Sequence, residues 1–204
     1  MGSGIAESTA RAGSHVLLYE PEDARLDGSR KRIEASIAKA VKGGKLDEEG
    51  GKAMLGRISW TTDFAALANA QLAIEAVVED EGVKADVFGR LDATLPPESI
   101  LASNTSSIPI AQLAAATSRP DRVLGLHFFS PVPVMKLVEI VVALDTSEET
   151  VARAASFVDA LGKTAVRTKD RSGFVVNFLL VPYLWRRCGC TRRASPPPRT
   201  STRR

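Results

Sequence analysis

One histidine and one glutamate have the chemical types and the spacing of an acid–base pair. His127 follows a short apolar run at residues 123–126, and Glu139 lies within the apolar run Leu137–Val142, twelve residues further along the chain. An unpaired carboxylate in a buried strand is costly, so Glu139 is expected to have a partner, and neighbouring strands would bring the two side chains together. A histidine titrates near neutral pH and suits a general base, and a carboxylate on its other ring nitrogen would fix the tautomer. Taken alone, a single histidine after a strand is more often structural.

A glycine pair and an acidic residue near the start of the chain are typical of dinucleotide binding. Gly2 precedes a helix-compatible stretch at residues 4–12, and Gly4 is its first residue. Glu20 follows the apolar run Val16–Tyr19. In a doubly wound fold, glycines let a pyrophosphate approach a helix N-terminus, and an acid after the second strand binds the ribose. Glu20 would repel a 2′-phosphate, which favours NAD over NADP; the alternative is a solvated charge. Because only the end of a glycine fingerprint is present, we expect a Rossmann-type sheet that lacks its first strand.

The elements that must position these residues alternate between strands and helices. Short apolar runs bounded by polar or turn residues predict strands at 16–19, 72–78, 100–102, 123–126 and 137–142. Helical spacing predicts helices at 4–12, 30–41, 46–55, 83–91, 110–115 and 148–161. The alternation indicates an α/β fold with a parallel sheet.

The composition excludes several classes of protein. Hydrophobic residues make up 44% and charged residues 25% of the 204 residues, which excludes a largely disordered, collagen-like or disulfide-framework protein. The longest apolar runs are far shorter than the roughly 20 residues of a membrane helix. No export leader opens the chain, so we expect a cytoplasmic protein with no membrane partner. The two cysteines lie in a Cys-x-Cys arrangement far from either histidine, which does not match a zinc site, and no metal is expected.

The positive net charge comes from the end of the chain. Residues 185–204 contain seven Arg and no Asp, Glu or Lys, whereas residues 1–184 contain 20 Lys and Arg against 24 Asp and Glu, a net charge of −4. The segment has three consecutive prolines and no hydrophobic period, as in a disordered basic tail. We favour a frameshift after Leu184, because GC-rich codons read one nucleotide earlier can encode an amphipathic helix there. A nucleic-acid partner would depend on this charge alone and is not expected.

Three motifs, each more specific than a glycine pattern, follow one another along the chain. They are Asn104-Thr105-Ser106-Ser107, then His127-Phe128-Phe129-Ser130-Pro131-Val132-Pro133-Val134-Met135, then Gly173-Phe174-Val175-Val176-Asn177. In this order they resemble the 3-hydroxyacyl-CoA dehydrogenase family, above all its short bacterial members that act on 3-hydroxybutyryl-CoA. The resemblance runs over residues 1–184. Ser130 stands where many members carry Asn, and Phe178 where Arg usually follows the asparagine.

The resemblance implies a Rossmann-type NAD-binding domain followed by an all-helical domain that forms a homodimer. Residues 1–171 would be the NAD-binding domain, incomplete at its N-terminus, and residues 172–184 the start of the helical domain. Residues 185–204 would be an aberrant, disordered tail. The implied reaction is the NAD-dependent oxidation of (S)-3-hydroxyacyl-CoA, above all 3-hydroxybutyryl-CoA, to 3-oxoacyl-CoA in β-oxidation or butanoate metabolism.

The resemblance also implies roles for residues at matching positions. The catalytic positions are His127 as general base, Glu139 as the residue that orients it, Ser106 and Asn177. The positions that hold NAD are Gly2, Gly4, Glu20, Glu79, Lys84 and Asn104. The positions that meet the acyl-CoA substrate are Ser36, Lys42, Lys45, Ser106 and Asn177. The alternative for Lys42 and Lys45 is that they belong to a solvated helix face and do not contact the substrate.

Two other functions stay open at this point. Because the first strand and most of the helical domain would be absent, the chain could be an inactive nucleotide- or CoA-binding remnant with weak NAD binding and little turnover. A related 3-hydroxy-acid dehydrogenase would share the fold and differ in its substrate.

Overall fold

Helices and strands alternate along the chain, as the apolar runs and helical stretches indicate. The computed structural model describes residues 1–189. The helices are α1 Gly2–Arg11, α2 Asp23–Lys42, α3 Glu48–Gly56, α4 Glu81–Thr94, α5 Ile110–Ala114, α6 Glu148–Ala160 and α7 Val176–Gly189. The strands are β1 Val16–Tyr19, β2 Ile58–Thr61, β3 Leu72–Glu75, β4 Ile100–Ser103, β5 Val123–Phe128, β6 Leu137–Val142 and β7 Thr164–Lys169. Within these residues no helix has the length and apolar character needed to cross a membrane.

The strands lie in two hydrogen-bonded sheets rather than in one. β1 and β2 pair in parallel, and the other strands form a second sheet in the order β3-β4-β5-β6-β7. Of the four pairings in the larger sheet, β5–β6 is antiparallel and the others are parallel. The predicted α/β, Rossmann-type fold with a predominantly parallel sheet is confirmed.

Helix α1 connects the two sheets. Ile5 belongs to the apolar cluster on one face of the larger sheet. The next residue, Ala6, and Ala10 one turn later pack with Leu18 of the smaller sheet. Because residues 5 and 6 point about 100° apart around a helix of 3.6 residues per turn, α1 presents one apolar face to each sheet. The N-terminus of α1 is thereby held between them.

The two central strands of the larger sheet are buried on both faces. Every residue of β4 and β5 is buried. Leu124 and Leu126 belong to the cluster on one face, whereas Val123 belongs to the cluster on the other. A continuous apolar run without alternation is typical of a strand covered by helices on both sides. His127 carries the only polar side chain of β5. Its position is fixed because the apolar residues around it in the strand are packed in the core.

The sequence patterns do not predict β2 or β7. In β7, Thr164, Arg167 and Lys169 are polar, and no residue of the strand is fully buried. The strand lies at the edge of the sheet and pairs with β6 over six residues, from Leu137↔Thr164 to Val142↔Lys169. Its conformation follows from this pairing and not from an apolar pattern of its own.

Helix α7 extends beyond the point at which the chain is expected to become disordered. Residues 185–189 are helical, so the expectation of disorder is wrong for these five residues. Residues 190–204 lie outside the described part of the chain. The assignment of residues 172–184 to the start of a helical domain stays a prediction.

Replacement of Gly125 in β5 by alanine should destabilise the fold by about 1–3 kcal/mol, the usual cost of overpacking a core. A Cβ at this position would lie 2.8 Å from Val141 Cβ and 3.0 Å from Ile110 Cδ1. Urea unfolding measures the change in free energy. Gly56→Ala is the control, because a Cβ there meets nothing within 4 Å, and it should stabilise by up to about 1 kcal/mol. Equal effects of the two changes would contradict the packing argument.

Candidate active site

The His127 and Glu139 side chains form a buried pair between two antiparallel strands. The residues are directly opposite each other in the β5–β6 register, and His127 Nδ1 lies 2.7 Å from Glu139 Oε2. His127 is 6% exposed and Glu139 is fully buried. Because Nδ1 is occupied by the carboxylate, Nε2 is the ring nitrogen left to act on a ligand.

The second oxygen of Glu139 holds the start of α7. Glu139 Oε1 accepts hydrogen bonds from the backbone N–H groups of Val175 and Val176, both at 2.9 Å. With His127, three donors compensate the buried carboxylate, as its burial requires. The ring of Phe174 lies 5.4 Å from that of His127. The segment that carries Asn177 is therefore placed by the same side chain that orients the histidine.

The turn at residues 104–107 is hydrogen-bonded to the strand that carries the histidine. Asn104 Oδ1 accepts from the backbone N–H of Phe128 at 2.9 Å. On its other side, Glu79 Oε1 accepts from the backbone N–H groups of Ser106 and Ser107, at 2.9 and 3.1 Å. The Asn104 amide is thus a structural link between the turn and β5.

Hydrogen bonds to Glu79 keep its carboxylate ionised. Partial burial by itself would raise the pKa of Glu79. Hydrogen bonds from Thr105, Ser106 and Ser107, together with the charge of Lys84, outweigh burial and lower the pKa from 4.5 to about 2. The carboxylate is the common acceptor for the donors of the turn.

Lys84 lies beneath the groove and does not line it. Its side chain is 1% exposed, and its ammonium lies 2.7 Å from Glu75 Oε1 and 3.3 Å from Glu79 Oε2. In the structure Lys84 contacts Glu79, which lines the second cavity, and is not itself a lining residue of either cavity. Its expected role in holding the cofactor stays a prediction. The partner that the sequence analysis missed is Glu75. Its signal was an acid within an apolar run, residues 72–78, just as Glu139 lies within the run 137–142.

Two adjoining cavities form a groove across the molecule. The first, about 410 Å³, is lined by residues that include Glu20 and, at the N-terminus of α1, Gly2 and Gly4. The second, about 450 Å³, is lined by residues that include Glu79, Asn104, Ser106, His127 and Asn177. The cavities share Met1, Ala76 and Ser130. The N-terminus of α1 in the groove wall would attract an anionic group of a ligand.

The residues expected to meet the substrate are not all at the groove. Ser36 lines the first cavity. Lys42 and Lys45 are exposed at the C-terminal end of α2 and line neither cavity. Contact of these lysines with the substrate stays a prediction, as does the alternative of a solvated helix face. Among residues 1–189, no group of three or more His, Cys, Asp or Glu side chains could hold a metal ion.

Comparisons with known proteins agree on one family. A family model described as "3-hydroxyacyl-CoA dehydrogenase, NAD binding domain" matches residues 1–171. The chain is 55% identical over 186 residues to a 3-hydroxybutyryl-CoA dehydrogenase of Mycobacterium tuberculosis, covering 90% of this chain and 65% of the relative. It is 45% identical over 190 residues to the mitochondrial hydroxyacyl-coenzyme A dehydrogenase of Sus scrofa, covering 90% of this chain and 60% of the relative.

Solved structures give the same result. The crystal structure of M. tuberculosis FadB2 matches with a TM-score of 0.92 and 53% identity, over 94% of this chain and 68% of that one. The 3-hydroxybutyryl-CoA dehydrogenase of Escherichia coli matches with a TM-score of 0.90 and 42% identity, over 94% of this chain and 41% of that one. The chain thus spans about two thirds or less of the lengths of these proteins.

The Glu79→Gln variant should be less stable than the unchanged protein at neutral pH, and this difference should shrink as the pH falls from 4.5 towards 2. A carboxylate with a lowered pKa stabilises the folded state above its ordinary pKa of 4.5 and loses that contribution as it is protonated near its folded pKa of about 2. Urea unfolding at neutral pH and at a pH of about 3 measures the difference. The control, Asp86→Asn, removes an exposed carboxylate from α4. A Glu79→Gln deficit that does not change with pH would contradict the prediction.

Proposed function

This chain belongs to the 3-hydroxyacyl-CoA dehydrogenase family, and we propose that it carries out the NAD-dependent oxidation of (S)-3-hydroxyacyl-CoA, above all 3-hydroxybutyryl-CoA. The observation that supports this most directly is the buried His127–Glu139 pair, whose histidine lines a groove that also contains Glu20 and the N-terminus of α1. The products would be 3-oxoacyl-CoA and the reduced cofactor.

His127 has the surroundings of a general base. Oxidation of a secondary alcohol removes the hydroxyl proton while a hydride leaves the same carbon, and NAD, when bound, supplies the hydride acceptor. Nε2 of His127 takes the proton, since Nδ1 is bonded to Glu139 at 2.7 Å. The Glu139 carboxylate keeps the proton of the neutral ring on Nδ1 and stabilises the imidazolium that forms.

Two further side chains of the second cavity would hold the substrate. Ser106 Oγ lines the cavity with His127 and would donate a hydrogen bond to the reacting oxygen. Asn177, also in the cavity wall, would donate from its amide to the thioester carbonyl. The positions of both depend on carboxylates, since Glu79 holds the turn of Ser106 and Glu139 the start of α7.

The first cavity fits the adenosine half of NAD. The N-terminus of α1, with Gly2 and Gly4, opens into it and would receive the pyrophosphate. Glu20 Oε1 accepts from Ser29 Oγ at 2.8 Å, which orients the carboxylate at the cavity wall for the ribose hydroxyls. Ser36 in the same wall would contact the nucleotide part of the ligands. A homodimer and a cytoplasmic location stay predictions.

Replacement of His127 by glutamine should lower kcat by about 10²- to 10⁴-fold, the usual contribution of a general base, with little change in NAD affinity. The decrease in NADH absorbance with acetoacetyl-CoA measures turnover, and calorimetry measures NAD binding. The control is His15→Gln, because His15 is exposed and outside both cavities. Near-normal turnover in the His127→Gln variant would refute the base assignment. NAD binding without turnover in the unchanged chain would select the inactive remnant.

Replacement of Glu20 by glutamine should raise the affinity for NADP relative to NAD about tenfold, because removal of a repulsion of roughly 1.4 kcal/mol corresponds to that factor. The negative charge of Glu20 at the wall of the first cavity opposes a 2′-phosphate. Titration of both cofactors into both proteins gives the ratio. Glu22→Gln, an exposed acid nearby in sequence, is the control. An unchanged ratio in the Glu20→Gln variant would mean that this carboxylate does not face the ribose.

A further inference from the structure

Five residues, joined by four side-chain contacts and one backbone N–H, form a closed ring beneath the groove, here called the polar ring. Lys84 Nζ donates to Glu75 Oε1 at 2.7 Å and lies 3.3 Å from Glu79 Oε2. Thr105 Oγ1 donates to Glu79 Oε1 at 2.6 Å. The Thr105 backbone N–H donates to Ser103 Oγ at 3.1 Å, and Ser103 Oγ donates to Glu75 Oε2 at 2.7 Å, which closes the ring.

The core of the polar ring is removed from water. The side chains of Glu75 and Lys84 are 0% and 1% exposed. Glu75 Oε1 also accepts from the backbone N–H of Val77 at 2.6 Å. Buried ion pairs are often no better for stability than apolar residues of the same volume, whereas fully hydrogen-bonded polar networks impose a defined geometry. Stability alone is therefore a poor explanation for these charges in the core.

The polar ring holds the turn that carries Ser106. Its partly exposed member is Glu79, whose side chain is 38% exposed. Glu79 Oε1 gathers donors from Thr105, Ser106 and Ser107, including the backbone N–H of Ser106 at 2.9 Å. Without Lys84, nothing else in the ring would restrain the Glu79 Oε2 atom. The turn would then keep its link to β5 through Asn104 but lose a fixed anchor on the side of α4.

We infer that Glu75 and Lys84 are positioning residues for the reaction at His127, which hold Glu79 and through it the 104–107 turn so that Ser106 faces the substrate oxygen. This inference rests on the proposed function, because it assigns a role in the same reaction. Neither residue touches the groove, so both act through Glu79.

A double-mutant cycle tests whether Lys84 acts through Glu79. In the unchanged background, Lys84→Met should lower kcat about tenfold and change KM for acetoacetyl-CoA less than about threefold. In the Glu79→Gln background, Lys84→Met should change kcat less than about twofold, because the residue through which it acts has already lost its charge. The same fold loss in both backgrounds would overturn the inference, since a purely structural effect is additive.

Lys84→Met leaves Glu75 buried without its cation, which could unfold the protein. A second variant therefore separates a loss of activity from a loss of the fold. Glu75→Gln combined with Lys84→Met replaces the ion pair with neutral side chains of similar length. This variant should fold, because no fully buried charge is left unpaired and the Glu79 side chain, which loses its cation, is 38% exposed to water. It should show about the same tenfold loss of kcat. Asp86→Asn on the exposed face of α4 is the control and should keep the unchanged rate. Full activity of the neutral-pair variant would overturn the inference.

Amide hydrogen exchange gives a readout that does not need turnover. In the neutral-pair variant, the Ser106 and Ser107 amides should exchange faster, whereas the amides of Phe88 and Leu91 in the core of α4 should be unchanged. If the unchanged protein shows no turnover, the proposed function fails, and faster exchange confined to the turn still supports the positioning role. Unchanged exchange at Ser106 and Ser107 would overturn it.

Discussion

The arrangement of the active site depends on the buried carboxylate of Glu139. A carboxylate without partners in a low-dielectric core is strongly unfavourable, so this residue is stable only when β5, β6 and the start of α7 come together. His127 occupies one oxygen, and the backbone N–H groups of Val175 and Val176 occupy the other. One desolvated charge thus orients the histidine and places the helix that carries Asn177.

The same constraint recurs three strands away in the larger sheet, on β3. Glu75 is buried at the end of β3 and is compensated by Lys84, Ser103 and a backbone N–H group. Both acids lie in otherwise apolar strands, and both bind segments that border the groove. The two clusters are joined where Asn104 accepts the backbone N–H of Phe128. Polar groups of the proposed site are therefore held by hydrogen bonds that the surrounding apolar core makes stronger.

The groove crosses both sheets. Glu20 follows β1 of the smaller sheet, and His127 lies on β5 of the larger one. Helix α1 packs Ile5 against the larger sheet and Ala6 and Ala10 against the smaller. The spacing between Glu20 and His127 therefore depends in part on the packing of this ten-residue helix, whose N-terminus also lies in the groove wall.

Residue type and periodicity, which are local properties, were enough to identify the strands that carry the chemistry and to require a partner for Glu139, because an acid in an apolar strand is costly when unpaired. The resemblance to the family, and not periodicity, named His127 as that partner and located the 104–107 turn and the start of α7. The tertiary structure decided that Lys84 lies under the groove beside Glu75, and that polar β7 is a strand. Both outcomes depend on residues distant in the sequence. Lys84 is buried only when other parts of the chain pack around it. The polar residues 164–169 form a strand only because β6 is present to pair with them.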